Sequence, residues 1–96
     1  MVKHIILIKL KDNNEISKND IKQKLLSMSG KVPQILEIEV GTDFLCSTRS
    51  YDVFLQVSLK DRAALDDYQS DKYHSEIVKP YLIERAESII ALDYEI

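Results

Sequence analysis

The stretch Val2-Lys3-His4-Ile5-Ile6-Leu7-Ile8-Lys9-Leu10 decides the fold. Its isoleucines are β-branched and suit a pleated strand. Successive strand side chains point to opposite faces, so His4, Ile6, Ile8 and Leu10 share one face. Ile5 and Leu7 share the other, flanked by Lys3 and Lys9. Both faces are apolar at their centre. A sheet covered only by its own helices alternates apolar inside with polar outside. Something further must therefore cover the second face, and a chain of 96 residues has little spare material to do it.

Working outward from this strand, Ser17 is a good helix N-cap, with Asp20 three residues on in a near capping box. Ile16 and Ile21 are placed for a hydrophobic staple. Ile21, Leu25, Met28 and Val32 follow as an apolar stripe at helical spacing, and Gly30 and Pro33 end the helix. A second strand is expected over 35–45, where Leu36, Ile38 and Val40 alternate with Glu37 and Glu39. Gly41 marks a bulge or bend within it. In a third strand Tyr51, Val53, Leu55, Val57 and Leu59 share one face, and the short 46–50 link makes the two strands an antiparallel hairpin. Asp61 caps a second helix that carries Leu65 and Tyr68 inward until Ser70-Asp71-Lys72 interrupts it. Helical spacing resumes with His74, Ile77, Val78 and Tyr81. Pro80 lacks an N–H and forces a kink or a fresh helical start. A last strand runs over 88–95. The order βαββαβ is the ferredoxin-like α+β arrangement with an antiparallel four-stranded sheet, in a single domain over 1–96.

Composition narrows the function. The chain is 45% hydrophobic and 30% charged, which suits a folded globular domain. Its formal net charge is −3, and its lysines, among them Lys3, Lys9, Lys18 and Lys31, are interleaved with apolar and acidic residues. That is a solvated mixed-charge surface rather than a basic stripe, which argues against nucleic acid and anionic membrane as partners. The single cysteine, Cys46, permits no intrachain disulfide and reads as a small, partly buried side chain. Ile5 to Ile8 is too short for a signal sequence or a membrane span, so a cytoplasmic location is expected. With only Gly30 and Gly41 there is no phosphate-binding loop, and no nucleotide cofactor is expected.

Several segments together resemble a known family. Val2-Lys3-His4-Ile5, Lys9-Leu10-Lys11, Glu39-Val40-Gly41, Ser50-Tyr51-Asp52-Val53, Leu65-Asp66-Asp67-Tyr68-Gln69 with His74, and Leu92-Asp93-Tyr94 are similar, in order and spacing, to the stress-responsive dimeric A/B-barrel family. The resemblance implies a homodimer in which two sheets face each other and close a barrel, which would supply the missing cover for Ile5 and Leu7. Related dimeric barrels include monooxygenases and muconolactone isomerases, so a monooxygenase-like activity is one implied alternative. One plant branch is a polyketide cyclase that closes a carbon–carbon bond by aldol condensation. Against that branch, His74 falls at the catalytic histidine, Tyr68 at the assisting tyrosine and His4 at a pocket histidine. A further pocket histidine of the branch is Val53 here, and a His-Pro pair reads Asp71-Lys72.

The chemistry of these residues is coherent. A histidine near its ordinary pKa can take a proton from carbon beside a carbonyl. A tyrosine hydroxyl can donate to the oxyanion that forms. A second histidine can orient or relay. Ile6, Ile8, Leu25, Val53 and Leu55 would line an apolar pocket between sheet and helices, suited to a small apolar or carbonyl-containing ligand. The same residues also suit a structural reading. His74 would then be a half-exposed helix-start residue, Tyr68 an amphipathic core residue and His4 a satisfied strand histidine. Two hypotheses stand: a non-catalytic, ligand-binding or protective dimer, and a cofactor-free enzyme with His74 as base and Tyr68 as donor. Two histidines 70 positions apart, without Cys or a His-x-x-x-His pair, make a poor metal site. What discriminates the two hypotheses is whether His74 and Tyr68 reach one enclosed pocket.

Overall fold

The computed structural model describes all 96 residues. The chain runs through strand β1 (Val2–Leu10), helix α1 (Glu15–Leu26), strands β2 (Glu37–Thr42) and β3 (Val53–Leu59), helix α2 (Arg62–Ser70), a π-helical segment (Tyr73–Val78), helix α3 (Lys79–Arg85) and strand β4 (Ala86–Glu95). The four strands form one antiparallel sheet in the order β2-β3-β1-β4, the ferredoxin-like α+β arrangement. The stretch 2–10 is central, paired with β3 on one side and β4 on the other.

The register assigns the faces. On the helix-covered face His4 lies between Val57 and Asp93, Ile6 between Leu55 and Ala91, and Ile8 between Val53 and Ile89. Ile8, Val53, Leu55 and Val57 are buried there against Ile21, Leu25, Met28, Tyr68, Val78 and Leu82. On the other face Ile5 lies between Gln56 and Leu92, and Leu7 between Phe54 and Ile90. No helix crosses this face: Ile90 is 47% and Leu92 59% exposed.

Local details differ from the sequence expectation. Helix α1 starts earlier, because the Asn14 side chain, not Ser17, is the cap: it accepts from the Ser17 N–H at 2.8 Å. The helix also ends at Leu26, and Met28 and Val32 reach the core from the turns that follow. Gly41 is neither bulge nor bend. It pairs in register with Phe54, and a Cβ at that position would stand 4.0 Å from the Phe54 ring. The β2–β3 connection is a longer loop over 43–52. Asp52 belongs to it because its buried carboxylate accepts from the Leu10 N–H at 2.7 Å, tying the loop to the end of β1. Lys18 is not part of the solvated surface. Its side chain is buried, and its ammonium is held by the Asp43 carbonyl at 2.9 Å and by Glu15 at 3.5 Å.

Cys46 is exposed rather than partly buried, at the tip of this loop with φ 54°. Its sulfur lies 3.8 Å from the Lys18 ammonium, which already has two closer oxygen partners. Cys46→Ser is therefore expected to leave ligand binding intact and to move stability by no more than about 0.5 kcal/mol, the usual range for surface changes. Urea unfolding of both proteins checks this; a thiol-dependent activity lost with the substitution would contradict it.

Candidate functional site

Each of the three aromatic residues singled out from the sequence comes from a different element. His4 projects from β1 onto the helix side of the sheet. Tyr68 sits in the last turn of α2, a helix capped by Asp61, whose carboxylate accepts from the Ala64 N–H at 2.8 Å. The chain then breaks at Asp71, as Ser70-Asp71-Lys72 predicts. The Asp71 carboxylate accepts from the N–H groups of Tyr73 at 2.9 Å and His74 at 3.3 Å, so it restarts the next segment. That segment is π-helical, with the Lys79 N–H donating to the His74 carbonyl. Pro80 has no N–H to offer the preceding turn, and a fresh α-helix, α3, begins there with the proline in its first turn. Single π turns recur at functional sites, and this one turns His74 and Val78 inward.

The three rings are in tilted contact, with interplanar angles of 59° and 40°. Tyr68 lies in the middle, its centroid 5.5 Å from His4 and 4.5 Å from His74. All three line one pocket of about 320 Å³ between the sheet and the helices, and 10 of its 14 lining residues are hydrophobic. Of the lining expected from the sequence, Ile6, Leu25 and Leu55 are present. Ile8 and Val53 are not. They pair with each other further along the sheet and are sealed in the core. The sequence reading missed Met28, Val78 and Leu82 as lining residues, although helical spacing from Leu25 and His74 points to them. It also missed Ile83 and Ile89, which are exposed and mark the mouth between α3 and edge strand β4. His74 is buried, not half-exposed at that mouth.

Electrostatics distinguish the three groups. Tyr68 is buried, and its hydroxyl finds one protein partner, the Met28 thioether sulfur at 3.8 Å, a weak acceptor. Burial, and then the Asp93 carboxylate, push its pKa far above the usual phenol value, so it stays a donor. His74 bonds through Nδ1 to the Gln69 carbonyl at 3.3 Å. A carbonyl only accepts, so Nδ1 carries the proton and Nε2 is the basic nitrogen. Burial lowers the His74 pKa. The Gln69 carbonyl opposes this, while the neighbouring His4 and Lys79 add to it. A pKa lowered from the ordinary 6.5 favours the neutral imidazole at physiological pH. His4 bonds through Nδ1 to the Asp93 carboxylate. Asp93 had no functional part in the sequence reading; only the strand pairing sets it beside His4. No three His, Cys, Asp or Glu side chains converge on one point. An apolar cavity holding a neutral imidazole base and a protonated phenol can bind a carbonyl compound and move a proton on it.

Comparison with known proteins agrees with this architecture. The family model described as the stress-responsive A/B-barrel domain matches residues 2–96. Among solved structures, a dimeric protein of unknown function with a ferredoxin-like fold from Bacteroides fragilis is 26% identical, with a TM-score of 0.82, covering 99% of this chain and 95% of its own. A protein from Arabidopsis thaliana superposes with a TM-score of 0.86 at 15% identity, over 100% of this chain and 95% of its own. An antibiotic biosynthesis monooxygenase superposes at 0.74 with 16% identity, over 100% and 98%. No curated protein sequence matches the chain. No helix is long and apolar enough to cross a membrane.

Proposed function

The chain belongs to the stress-responsive A/B-barrel domain family, and on that premise we propose that it is a homodimer whose protomers each bind an apolar, carbonyl-containing molecule in the His4–Tyr68–His74 pocket and transfer a proton on it. The carrying observation is the Tyr68 hydroxyl: a buried donor on a residue that lines an apolar cavity beside a neutral histidine, with no protein acceptor stronger than a thioether. A buried polar group left so poorly satisfied costs on the order of 1–3 kcal/mol, and a ligand carbonyl would supply the missing acceptor.

In this reading His74 Nε2 removes a proton from carbon next to the bound carbonyl. The Tyr68 hydroxyl donates a hydrogen bond to the enolate oxygen that forms. The enolate carbon then attacks a second carbonyl of the same molecule, and the resulting alkoxide takes up a proton, so the sequence is a polyketide-cyclase-like aldol closure that consumes no net proton. The apolar walls favour the neutral imidazole and exclude competing water.

The test is a thermal-shift screen with medium-chain 1,3-diketones and 3-oxo acids. A ligand at about 100 times its Kd adds about 2.7 kcal/mol, which in a domain of this size raises Tm by on the order of 10 °C. Tyr68→Phe is expected to remove most of that shift while keeping the ring. A panel that moves neither protein would sink the reading. Binding without turnover would leave a ligand-binding dimer, and oxygen uptake with the same ligands would favour a monooxygenase-like activity.

A further inference from the structure

His4 and Asp93 stand between two separate spaces. His4 is buried and lines the inner pocket. Asp93 does not line that pocket. It lines a surface groove on the far side, with Val2, Arg62, Leu65, Asp66 and Glu95. Their side chains are 8% and 41% exposed, yet they are hydrogen-bonded to each other. The pair is thus a short polar bridge from the buried inner end of the apolar pocket to open water, away from the mouth at Ile83 and Ile89. A carboxylate oxygen only accepts, so Nδ1 of His4 carries a proton, and in the neutral ring Nε2 is the acceptor. Groups joined by a hydrogen bond, one end in the cavity and the other wet, have the makings of a proton path. In the groove itself Arg62 is already paired with Glu95, which leaves Asp93 facing His4 rather than the arginine.

We propose that His4 and Asp93 are a proton relay between the pocket and bulk solvent. The proposal rests on the proton-transfer reading of the pocket, but its test needs no ligand. A proton arriving at His4 Nε2 is matched by the Nδ1 proton leaving for the Asp93 carboxylate. The carboxylic acid so formed then loses that proton to water in the groove. The ring ends with the charge it began with, and its tautomer is reversed. When a proton is needed inside, as for an alkoxide, it travels the same path inward and restores the tautomer. Asp93 is a positioning and relay residue here, since it touches His4 and not the pocket.

The chain has only two histidines, so their ring signals separate cleanly by nitrogen-15 NMR, with His74→Ala as the assignment control. The expected wild-type pattern is a His4 ring protonated at Nδ1 whose N–H exchanges quickly with water. Asp93→Asn keeps the size and a hydrogen-bond partner but cannot carry a proton, so exchange should slow about tenfold or more, in line with the usual loss of one proton-transfer group. Asp93→Ala with excess formate should restore it, because a merely structural carboxylate would not be replaced by a diffusing one. Leu65→Trp, which leaves the pair intact and covers the groove, should also slow exchange, and serves if the Asp93 variants fail to fold. Unchanged exchange in Asp93→Asn or, failing that, in Leu65→Trp overturns the relay. Absence of ligand binding in the thermal-shift screen would instead overturn the pocket's function and leave the exchange result standing.

Discussion

Replacing Leu7 with lysine is expected to convert the proposed dimer, at twice the 11.1 kDa chain mass, into a monomer or an unfolded chain. Leu7 is the centre of the helix-free face, between Phe54 and Ile90 in the sheet register. With Ile5, Ile90 and Leu92 it lines a shallow apolar hollow that a flat polar solvent boundary does not explain. A second copy fits it on the grounds of this face and of the dimeric Bacteroides relative. Stable interfaces bury on the order of 1,600 Å² in total, and this one is expected to reach that. A lysine ammonium placed there would face apolar side chains with no partner, and uncompensated buried charges cost on the order of 3–5 kcal/mol. The β2 edge of the same face is polar at Glu37 and Glu39, so Glu39→Lys is the control and should change little. Size-exclusion chromatography with light scattering at micromolar concentration reads the mass, and circular dichroism separates dissociation from unfolding. A monomeric wild type, or a Leu7→Lys variant that stays dimeric, would refute face-to-face assembly.

The legibility of the molecule followed the strength of its local signals. The doubly apolar strand was readable because the run Ile5 to Ile8, rich in β-branched residues and flanked by Lys3 and Lys9, is apolar on both faces of a two-residue period. The break at Ser70-Asp71-Lys72 and the restart at Pro80 were readable because Asp caps and Pro act locally. The cap at Asn14 was not, since Asn14 and Ser17 are equally good capping residues and only the chain's exit from β1 chooses between them. Gly41 was misread because a glycine in a strand need not bend it, and here it pairs in register with Phe54 with ordinary space for a side chain. At the site, the three aromatic residues were identifiable, but their common pocket was not. Its lining depends on which strands flank β1 in the sheet: pairing with β4 sets Asp93 beside His4, and pairing with β3 sets Ile8 beside Val53 in the core. Cys46 and Lys18 show the same limit: the exposure of one and the burial of the other are decided by the path of the 43–52 loop.

His74→Ala and Tyr68→Phe are expected to lower turnover of any ligand found by the screen by about 10²–10⁴-fold each, the usual contribution of a general acid–base group. The alanine removes the one basic nitrogen the mechanism uses. The phenylalanine keeps the ring that lies between His4 and His74 and deletes only the hydroxyl, so its melting temperature should hardly fall. The two losses should not add fully, because both groups act on one transition state. The pH profile carries the sign of the site. Burial lowers the His74 pKa below its ordinary value of 6.5, so activity should persist as pH falls through about 6.5 and be lost below it, when the imidazole takes up a proton. The same group depresses stability on that acid side. Its folded-state pKa lies below the unfolded one, so its contribution is present above about 6.5 and fades as pH falls toward the folded-state value. His74→Ala should therefore lose this part of the acid sensitivity while losing activity at every pH. Turnover and melting temperature, measured side by side from pH 5 to 8, separate the outcomes. Full turnover in both variants would refute the catalytic assignment. Loss of turnover that only tracks unfolding would make the three contacting rings a structural core and leave the pocket as a binding site.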